Sequence, residues 1–234
     1  MILSINQPAY LPWLGYFQRI ARSDLHVILD HVQFEKNSMV NRNRIRTHDG
    51  WCWLTVPVKT RHRFGDLVIH RLTLADDPRW RRKHWDSLRF NYAKAPYFAE
   101  HAGFFEASYQ RDWQYLIDLN LHLTRYLLDA FAINTPLLRS SQLMVDGEKS
   151  QLLLNLCRSC GADRYLSGPF GRDYLDLDAF SDAGIQVEFD DYQHPRYTQI
   201  QSRFEPYMSA VDLLFNQGPA SLKILLAQIH SEAP

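Results

Sequence analysis

The sequence predicts an α/β fold with a Rossmann-like parallel sheet, and two observations lead to this class. Apolar runs at 2–5 and 25–30 enclose a helical pattern within the first thirty residues. Parallel strands in one sheet need a crossover of this kind, so the pattern indicates a βαβ unit. Short apolar runs alternate with helical patterns again between 135 and 189, which is typical of the same class.

The first crossover places polar residues at a predicted ligand-binding edge. Pro8 and Pro12 forbid a continuous strand or helix, so the chain must leave the sheet at Gln7 and enter a helix near Pro12. Asp30 and Gln33 follow the second strand. Ligands of parallel sheets bind beyond the carboxyl ends of the strands, where these side chains are expected to lie.

Between the first crossover and the later alternation we expect two additions to the sheet. A β-rich basic insertion is predicted at 36–75, with strands at 43–47, 51–58 and 67–74, a hairpin turn at Asp49-Gly50 and a charged loop at 59–65. A helical lobe is predicted at 76–131, with helices at 76–93, 97–108 and 110–131.

The second half of the sequence predicts further strands of the sheet, which alternate with helices. We expect a short strand at 135–141, a helix at 146–161, a strand at 163–168, a helix at 176–183, a strand at 185–189 and a closing helix at 219–229. A length of 234 residues and 46% apolar content suit a single domain, 1–234, that carries the insertion and the lobe.

Composition narrows the classes of partner. The formal net charge is zero, which argues against a protein that coats nucleic acid or an anionic membrane. The segment 36–94, however, holds 14 Lys and Arg against 5 Asp and Glu. This excess suits an anionic substrate, although complementary lobes that neutralise each other would give the same balance.

The small number of cysteines and the lack of a long apolar run predict a cytoplasmic protein. Cys52, Cys157 and Cys160 are too few for a disulfide framework, and no signal sequence or apolar run of membrane-spanning length is recognisable. Cys157 and Cys160 have C-x-x-C spacing inside a helical pattern, which favours packing over a metal or redox role. No other pattern of metal ligands is present, so no metal is predicted.

Three polar residues at the predicted strand ends are the candidates for catalysis. Asp30 is the candidate general base, because an amine nucleophile must lose a proton during acyl transfer. Gln7 carries both a donor and an acceptor and can orient an amide, a carboxylate or a hydroxyl, and Gln33 lies near it. A solvated carboxylate and turn-stabilising amides are the structural alternatives.

Further residues are candidates for substrate binding. Arg42 and Arg44 flank Asn43, and paired guanidinium groups suit phosphate or carboxylate. In an extended segment the two arginines point to one side and Asn43 to the other. Solvated strand arginines are the alternative reading. The remaining candidates are Ser167 and Gly168, which begin a Gly-x-x-Gly turn after a strand, and the polar loop residues His194, Tyr197 and Gln199.

Several motifs together resemble the WbqC-like family. The match spans nearly the whole chain, and its most specific part is the first motif, Gln7-Pro8-Ala9-Tyr10-Leu11-Pro12-Trp13-Leu14-Gly15, followed by Asp30-His31-Val32-Gln33-Phe34, Asn41-Arg42-Asn43-Arg44-Ile45, Trp53-Leu54-Thr55-Val56-Pro57-Val58 and Tyr165-Leu166-Ser167-Gly168. The resemblance implies a small biosynthetic enzyme of bacterial surface-polysaccharide or natural-product pathways. Such an enzyme would add an acyl or aminoacyl group to an amino sugar.

A more distant resemblance concerns the first helix. The spacing of Pro8, Pro12 and Gly15 is similar to the first βαβ unit of the HIGH-type nucleotidylyltransferases of the HUP class, which implies that Pro8, Tyr10, Pro12 and Gly15 contribute to a nucleotide site. The two histidines of that motif are absent here, which argues against histidine-assisted adenylyl transfer. The start of the helix can still bind an anion.

These observations predict a transferase that acts on an amine of a nucleotide-linked amino sugar or a related small molecule. No cofactor is certain; a nucleotide or an activated acyl donor, such as acyl-CoA, an acyl-adenylate or an aminoacyl-tRNA, is expected. An RNA-linked donor would contact the basic segment 36–94. The alternatives are a non-catalytic module that binds a nucleotide or a partner protein, and a nucleotidylyltransferase-like enzyme.

Overall fold

The computed structural model describes residues 1–60 and 67–227. A five-stranded parallel sheet and a two-stranded hairpin are combined with eight α-helices in this part of the chain. In chain order the elements are β1 (Ile2–Asn6), α1 (Leu14–Ala21), β2 (Leu25–Ile28), β3 (Arg42–Thr47), β4 (Gly50–Thr55), α2 (Arg79–Tyr92), α3 (Phe98–Gln110), α4 (Leu116–Ala130), β5 (Leu137–Arg139), α5 (Lys149–Ser159), β6 (Arg164–Ser167), α6 (Leu177–Asp182), β7 (Gln186–Phe189), α7 (Ala210–Gln217) and α8 (Ser221–Leu226).

The parallel sheet has the strand order β5-β2-β1-β6-β7, with the N-terminal strand in the centre. From β1 the chain adds β2 and then β5 on one side, and it adds β6 and β7 on the other side. The direction of winding therefore reverses between β1 and β6. A reversal of this kind opens a crevice at the carboxyl ends of the two strands.

The two faces of the sheet pack against different sets of apolar residues. Leu3, Ile5 and Val27 pack with the buried leucines of α5 and with Phe180 of α6. The larger cluster joins α1 to the helices α2, α3, α4, α7 and α8 and to the hairpin. The inner strands are thus covered on both faces, as parallel strands require.

The turn between β1 and α1 is held by two distant parts of the chain. The backbone N–H of Tyr10 donates to Met39 O over 3.0 Å, and the Asn43 side chain donates to Leu11 O over 2.6 Å. The N–H of Ala210 donates to Pro12 O over 2.8 Å. Leu11 has a positive φ of 43°, which is uncommon for a residue with a side chain. These contacts fix a turn that local sequence alone would not favour.

Most of the predicted elements are confirmed, and the α/β class with a parallel sheet is among them. The first βαβ unit, the hairpin and the later α5-β6-α6-β7 alternation all lie within a few residues of their predicted positions. Asp176 caps α6 by accepting from Ala179 N over 3.1 Å. Helix α8 begins after a short 3₁₀ turn, and residues 228–229 of the predicted closing helix lie outside the described residues.

Two predicted elements are wrong in detail. The predicted strand at 67–74 is a 3₁₀ turn at Ile69–Arg71 with isolated bridges on either side, because its residues pair singly with Gln33, Val58 and Tyr115. The predicted helix at 110–131 begins only at Leu116. Between α3 and α4 the chain is extended at Arg111, and the Trp113 indole donates to Ser108 O over 2.8 Å.

The predicted insertion, 36–75, contains little regular β-structure, and the predicted lobe, 76–131, is helical. Within 36–75, paired strands occupy only the hairpin, and most of the predicted charged loop at 59–65 lies outside the described residues. Helices α2, α3 and α4 occupy the segment 76–131. Across residues 1–60 and 67–227, the helices are too short or too polar to span a bilayer.

Candidate ligand cavity at the carboxyl ends of the strands

A cavity of about 580 Å³ lies at the carboxyl ends of β1 and β6, where the winding of the sheet reverses. Its walls come from β1 and the turn that follows, the start of α1, the start of α5, the turn after β6 and the loop after β7. The polar and aromatic residues that line it are Asn6, Gln7, Trp13, Arg19, Lys149, Tyr165, Ser167, Phe170, Tyr174 and Tyr192. Its volume is in the range of small-molecule sites.

Arg19 is a buried cation at the wall of the cavity. Its Nη1 donates to Asn6 Oδ1 over 2.9 Å, and its Nε lies 3.5 Å from Asp190 Oδ2. Asp190 is itself held by Arg22 at 2.7 Å. The Nη2 of Arg19 makes no hydrogen bond to the described residues and is available to a ligand. A guanidinium held in this way is pre-oriented for an anion or a carbonyl oxygen.

Gly168 allows Arg19 to reach this position. A Cβ atom at Gly168 would lie 2.9 Å from Nη1 and 3.0 Å from Nη2 of Arg19. The first distance is shorter than normal Cβ contacts and the second is tighter than most of them, so the guanidinium packs directly on the backbone that follows β6. The glycine therefore brings the cation and the end of the strand together.

Tyr192 closes the cavity above the start of α1. A Cβ atom at Gly15 would lie 2.8 Å from Cδ1 of the Tyr192 ring, so the ring rests on the helix backbone. The Tyr192 hydroxyl is buried and has no partner among the described residues. Burial raises the pKa of this phenol, with further contributions from Tyr207 and Asp190, so it remains a neutral donor and acceptor.

Two helices begin at the cavity without a side-chain cap. Trp13 precedes α1 and Glu148 precedes α5, and neither side chain accepts from its helix. The first N–H groups of a helix need partners and favour negative charge. Lys149 has a positive φ of 49° at the start of α5 and also lines the cavity. The arrangement concentrates positive charge and free donors on an aromatic surface.

Four residues predicted from the sequence line this cavity. Gln7 and Gly15 come from the first crossover, and Ser167 and Gly168 from the end of β6. Ser167 donates from Oγ to Gly168 O over 3.2 Å. The structure thus brings together two glycine-containing turns that lie far apart in the sequence, because β1 and β6 are neighbouring parallel strands.

Asp30 does not line the cavity, because its carboxylate is fully engaged elsewhere. It accepts from Arg139 Nε over 2.6 Å, from Ser141 N over 2.8 Å, and from the hydroxyls of Ser140 and Ser141 over 3.1 and 2.9 Å. Burial opposes its ionisation, but the bonds from Arg139 and Ser141 outweigh this effect and lower its pKa. A carboxylate stabilised in this way is a weak base.

The other predicted residues of the first crossover also lie away from the cavity. Gln33 is exposed, and its Oε1 accepts from Leu67 N over 3.3 Å. Pro8 and Pro12 are buried in the turn. The Tyr10 hydroxyl lies in the core, 2.7 Å from His84 Nδ1 and 2.5 Å from the Tyr109 hydroxyl.

Arg42 and Arg44 lie on the outer side of the hairpin. They point to one side and Asn43 is buried on the other, as predicted from the extended geometry. The guanidinium of Arg42 lies 4.3 Å from the Trp53 ring, and that of Arg44 lies 5.0 Å from the Trp51 ring. The result is an exposed surface on which cations and indoles alternate.

The predicted loop residues support the fold around α7. Tyr197 and Gln199 both donate to Asp212 Oδ2, over 2.8 and 2.7 Å. Asp212 is buried, and burial raises its pKa despite these bonds. His194 is held among aromatic rings, with Nδ1 2.8 Å from Pro195 O, and burial lowers its pKa to about 4. These side chains do not line the cavity.

Sequence reasoning missed three residues that define the cavity. Arg19 belongs to the polar positions of α1, and its direction depends on Asp190, 171 residues later. Lys149 lies in a segment without a motif, and Tyr192 begins the polar loop from which only His194, Tyr197 and Gln199 were chosen as candidates. The signal that could have identified Arg19 is a basic residue one helical turn after Gly15, on the face that carries the helix start.

Comparison with known proteins identifies the family. Residues 7–224 match the WbqC-like protein family. The chain is 38% identical over 218 residues to a protein of Mycobacterium tuberculosis named "Uncharacterized protein Rv1507c", covering 92% of this chain and 94% of that protein. No solved structure matches. The family match covers nearly all of the chain, including the turns that form the cavity, and the chain therefore belongs to the WbqC-like protein family.

Proposed function

We propose that the protein is a biosynthetic transferase that binds a nucleotide-linked amino sugar, or a related anionic small molecule, in the cavity between β1 and β6. The observation that carries this proposal is the combination of Arg19, Lys149 and two uncapped helix starts on an aromatic surface. In the proposed complex the phosphates contact these donors, and the base packs on Trp13, Phe170 or Tyr192. The Rossmann-like, HUP-type interpretation of the sheet belongs to this proposal.

In the proposed reaction the amine of the bound sugar attacks the carbonyl of an acyl or aminoacyl donor. The new amide bond replaces the bond from the carbonyl to CoA, AMP or the tRNA ribose, which leaves with the proton that the amine loses. Gln7 and the Tyr192 hydroxyl would orient the amine and the donor carbonyl, because both can donate and accept. Positioning of two reactants can supply roughly 7–11 kcal/mol of the barrier. Acyl-CoA, an acyl-adenylate or an aminoacyl-tRNA would serve as the activated donor.

The hairpin supports an RNA-linked donor among these options. Exposed indoles stack on single-stranded bases, and guanidinium groups neutralise phosphates. Trp51 and Trp53 are 42% and 39% exposed and alternate with Arg42 and Arg44. This surface adjoins the cavity through Ser209, which bridges to Trp13 and donates its N–H to Arg44 O.

A binding module without catalysis is the second candidate, and one observation favours it. None of the described residues that line the cavity is Asp, Glu, His or Cys. Histidine and carboxylates are the commonest general bases, so proton transfer in this cavity would depend on Lys149 or a tyrosine hydroxyl. A nucleotidylyltransferase-like reaction would need a nucleoside triphosphate, which the same donors could hold.

The test measures binding and turnover separately. Isothermal titration with UDP- and dTDP-linked amino sugars should give saturable binding that Arg19→Met and Lys149→Ala each weaken by about tenfold, since each removes a charged contact. Arg158→Ala on the exposed end of α5 is the matched control and should bind as the wild type does. Mass spectrometry with the three donors should then detect the acylated sugar.

The outcomes separate the candidates. Nucleotide-sugar binding without product from any donor would favour the binding module. Conversion of ATP to a nucleotidylated product would favour the nucleotidylyltransferase-like reaction. An unchanged affinity in both Arg19→Met and Lys149→Ala, with folding verified by circular dichroism, would contradict the proposed site.

A further inference from the structure

A second cavity of about 580 Å³ lies between α4 and the edge strand β5. It shares no lining residue with the first cavity, and its lining is mainly polar. The side chains of interest are Arg111, Asp118, His122, Arg125, Arg139 and Gln142. The proposed transferase site uses none of them.

The three arginines keep hydrogen-bond donors available. Arg139 gives its Nε to Asp30, and its two terminal nitrogens make no hydrogen bond to the described residues. Arg111 stacks on the Trp113 ring at 4.3 Å, and its side chain makes no hydrogen bond within 1–60 and 67–227. Arg125 on α4 is exposed and makes no ion pair there either.

Two of the three guanidinium groups are held in place before any ligand arrives. Asp30 is completely buried and accepts four hydrogen bonds, so its carboxylate holds the Arg139 guanidinium in a fixed position. The Trp113 indole is fixed by its bond to Ser108 O, and it supports Arg111 from below. Fixed guanidinium groups lose little entropy on binding an anion, which favours bidentate recognition of phosphate.

The positive charge of the three arginines is not fully cancelled by the other titratable residues of this cavity. Asp112 is paired with Arg81 at 2.5 Å, and its side chain is 93% exposed. His122 has its Nε2 2.9 Å from Ser108 Oγ, and burial, with a contribution from Arg111, lowers its pKa, so it remains neutral at pH 7. Asp118 adds a carboxylate, which offsets part of the arginine charge, and its oxygens and the Gln142 amide can bind hydroxyls.

We propose that this cavity binds a small phosphorylated metabolite, with the phosphate on Arg111, Arg125 and Arg139 and the polar remainder facing Asp118 and Gln142. The cavity is larger than a phosphate ion, which fits a phosphate ester. Asp30 then acts as a positioning residue for Arg139. The inference does not depend on the function proposed for the first cavity.

The test uses glucose 1-phosphate and inorganic phosphate as probes of the full-length protein in isothermal titrations. Saturable binding is expected, with a higher affinity for the ester. Arg125→Ala, at an exposed helix position that should not disturb folding, is expected to weaken binding at least tenfold. Arg139→Lys keeps the charge but replaces the planar guanidinium by a single ammonium nitrogen, which cannot contact Asp30 and also bind a phosphate through two separate nitrogens, so it should also weaken binding.

Controls distinguish this cavity from the first. Arg158→Ala, on the exposed end of α5, should bind both probes as the wild type does. Lys149→Ala, at the first cavity, reports whether either probe binds there instead. The inference is overturned if the wild type binds neither probe, if Arg125→Ala and Arg139→Lys bind with unchanged affinity, or if only Lys149→Ala loses binding.

Discussion

At the scale of single residues, the role of a side chain depends on the residues that the fold brings into contact with it. Sequence reasoning placed Asp30 correctly at the end of a strand, but its role depends on Arg139 and Ser141, more than one hundred residues later. Gln7 and Gly168 could be predicted as cavity residues because strand ends of a parallel sheet share one edge. Arg19 could not, because its orientation is set by Asp190.

Replacing Asp30 by Asn should destabilise the protein by about 1–3 kcal/mol at pH 7, since a half-buried Arg139 loses its counter-charge. The folded-state pKa of Asp30 is lowered, so its stabilising contribution is present above the unfolded pKa of about 4 and is lost as the pH falls through the folded value. Urea midpoints of the wild type and Asp30→Asn should therefore converge below about pH 4. Equal midpoints at pH 7 would contradict the anchoring role.

At the scale of elements, regular patterns were predicted well and irregular connections were not. The apolar periods of α5, β6, α6 and β7 are local, and their positions are confirmed. The segment 67–74 has an alternating pattern, but it bridges singly to three different partners and forms no strand. An alternating apolar pattern indicates which side chains face the interior. It does not indicate whether another strand lies alongside to pair with the segment.

The contact between Gly15 at the start of α1 and Tyr192 in the loop after β7 can be tested by a substitution. Gly15→Ala would place a methyl group 2.8 Å from the Tyr192 ring, so either the ring or the helix start must move. We expect a loss of about 1–3 kcal/mol in unfolding free energy, as in overpacked sites, together with weaker ligand binding at the first cavity. Thermal unfolding and the nucleotide-sugar titration measure the two effects.

Gly103→Ala on α3 is the matched control for this substitution. A Cβ atom at Gly103 meets nothing within 4 Å, and alanine favours a helix, so this variant should be neutral or stabilised by up to about 1 kcal/mol. If Gly15→Ala behaves in the same way as Gly103→Ala, the close approach of Tyr192 does not constrain the cavity.

At the scale of the whole molecule, the large core contains ionisable groups that must stay neutral. His26 of β2 is completely buried, with Nδ1 2.7 Å from Ser4 Oγ of β1, and burial, assisted by Arg19, lowers its pKa to about 3. Burial similarly lowers the pKa of His84 to about 3. The aromatic content of the sequence predicted a substantial core, but which histidines it would enclose depended on the tertiary fold.

These histidines predict the pH dependence of stability. Because their folded pKa values lie below the unfolded value of about 6.5, the unfolded state binds more protons, and stability should fall as the pH decreases from about 6.5 towards 3. Each histidine should cost about 2 kcal/mol at pH 5 relative to pH 7. Urea denaturation at the two pH values measures the loss, and His26→Asn should reduce it. A stability that is constant from pH 7 to pH 5 would contradict this account.

The central position of β1 has a consequence for synthesis of the chain. β1 is made before both of its neighbours in the sheet, and one of its two hydrogen-bonding edges waits for β6, which begins at Arg164. At typical translation rates the ribosome needs on the order of ten seconds to reach that point. During this interval the nascent polypeptide presents an open, apolar strand edge, which makes it a natural client for chaperones and vulnerable to aggregation when expressed rapidly.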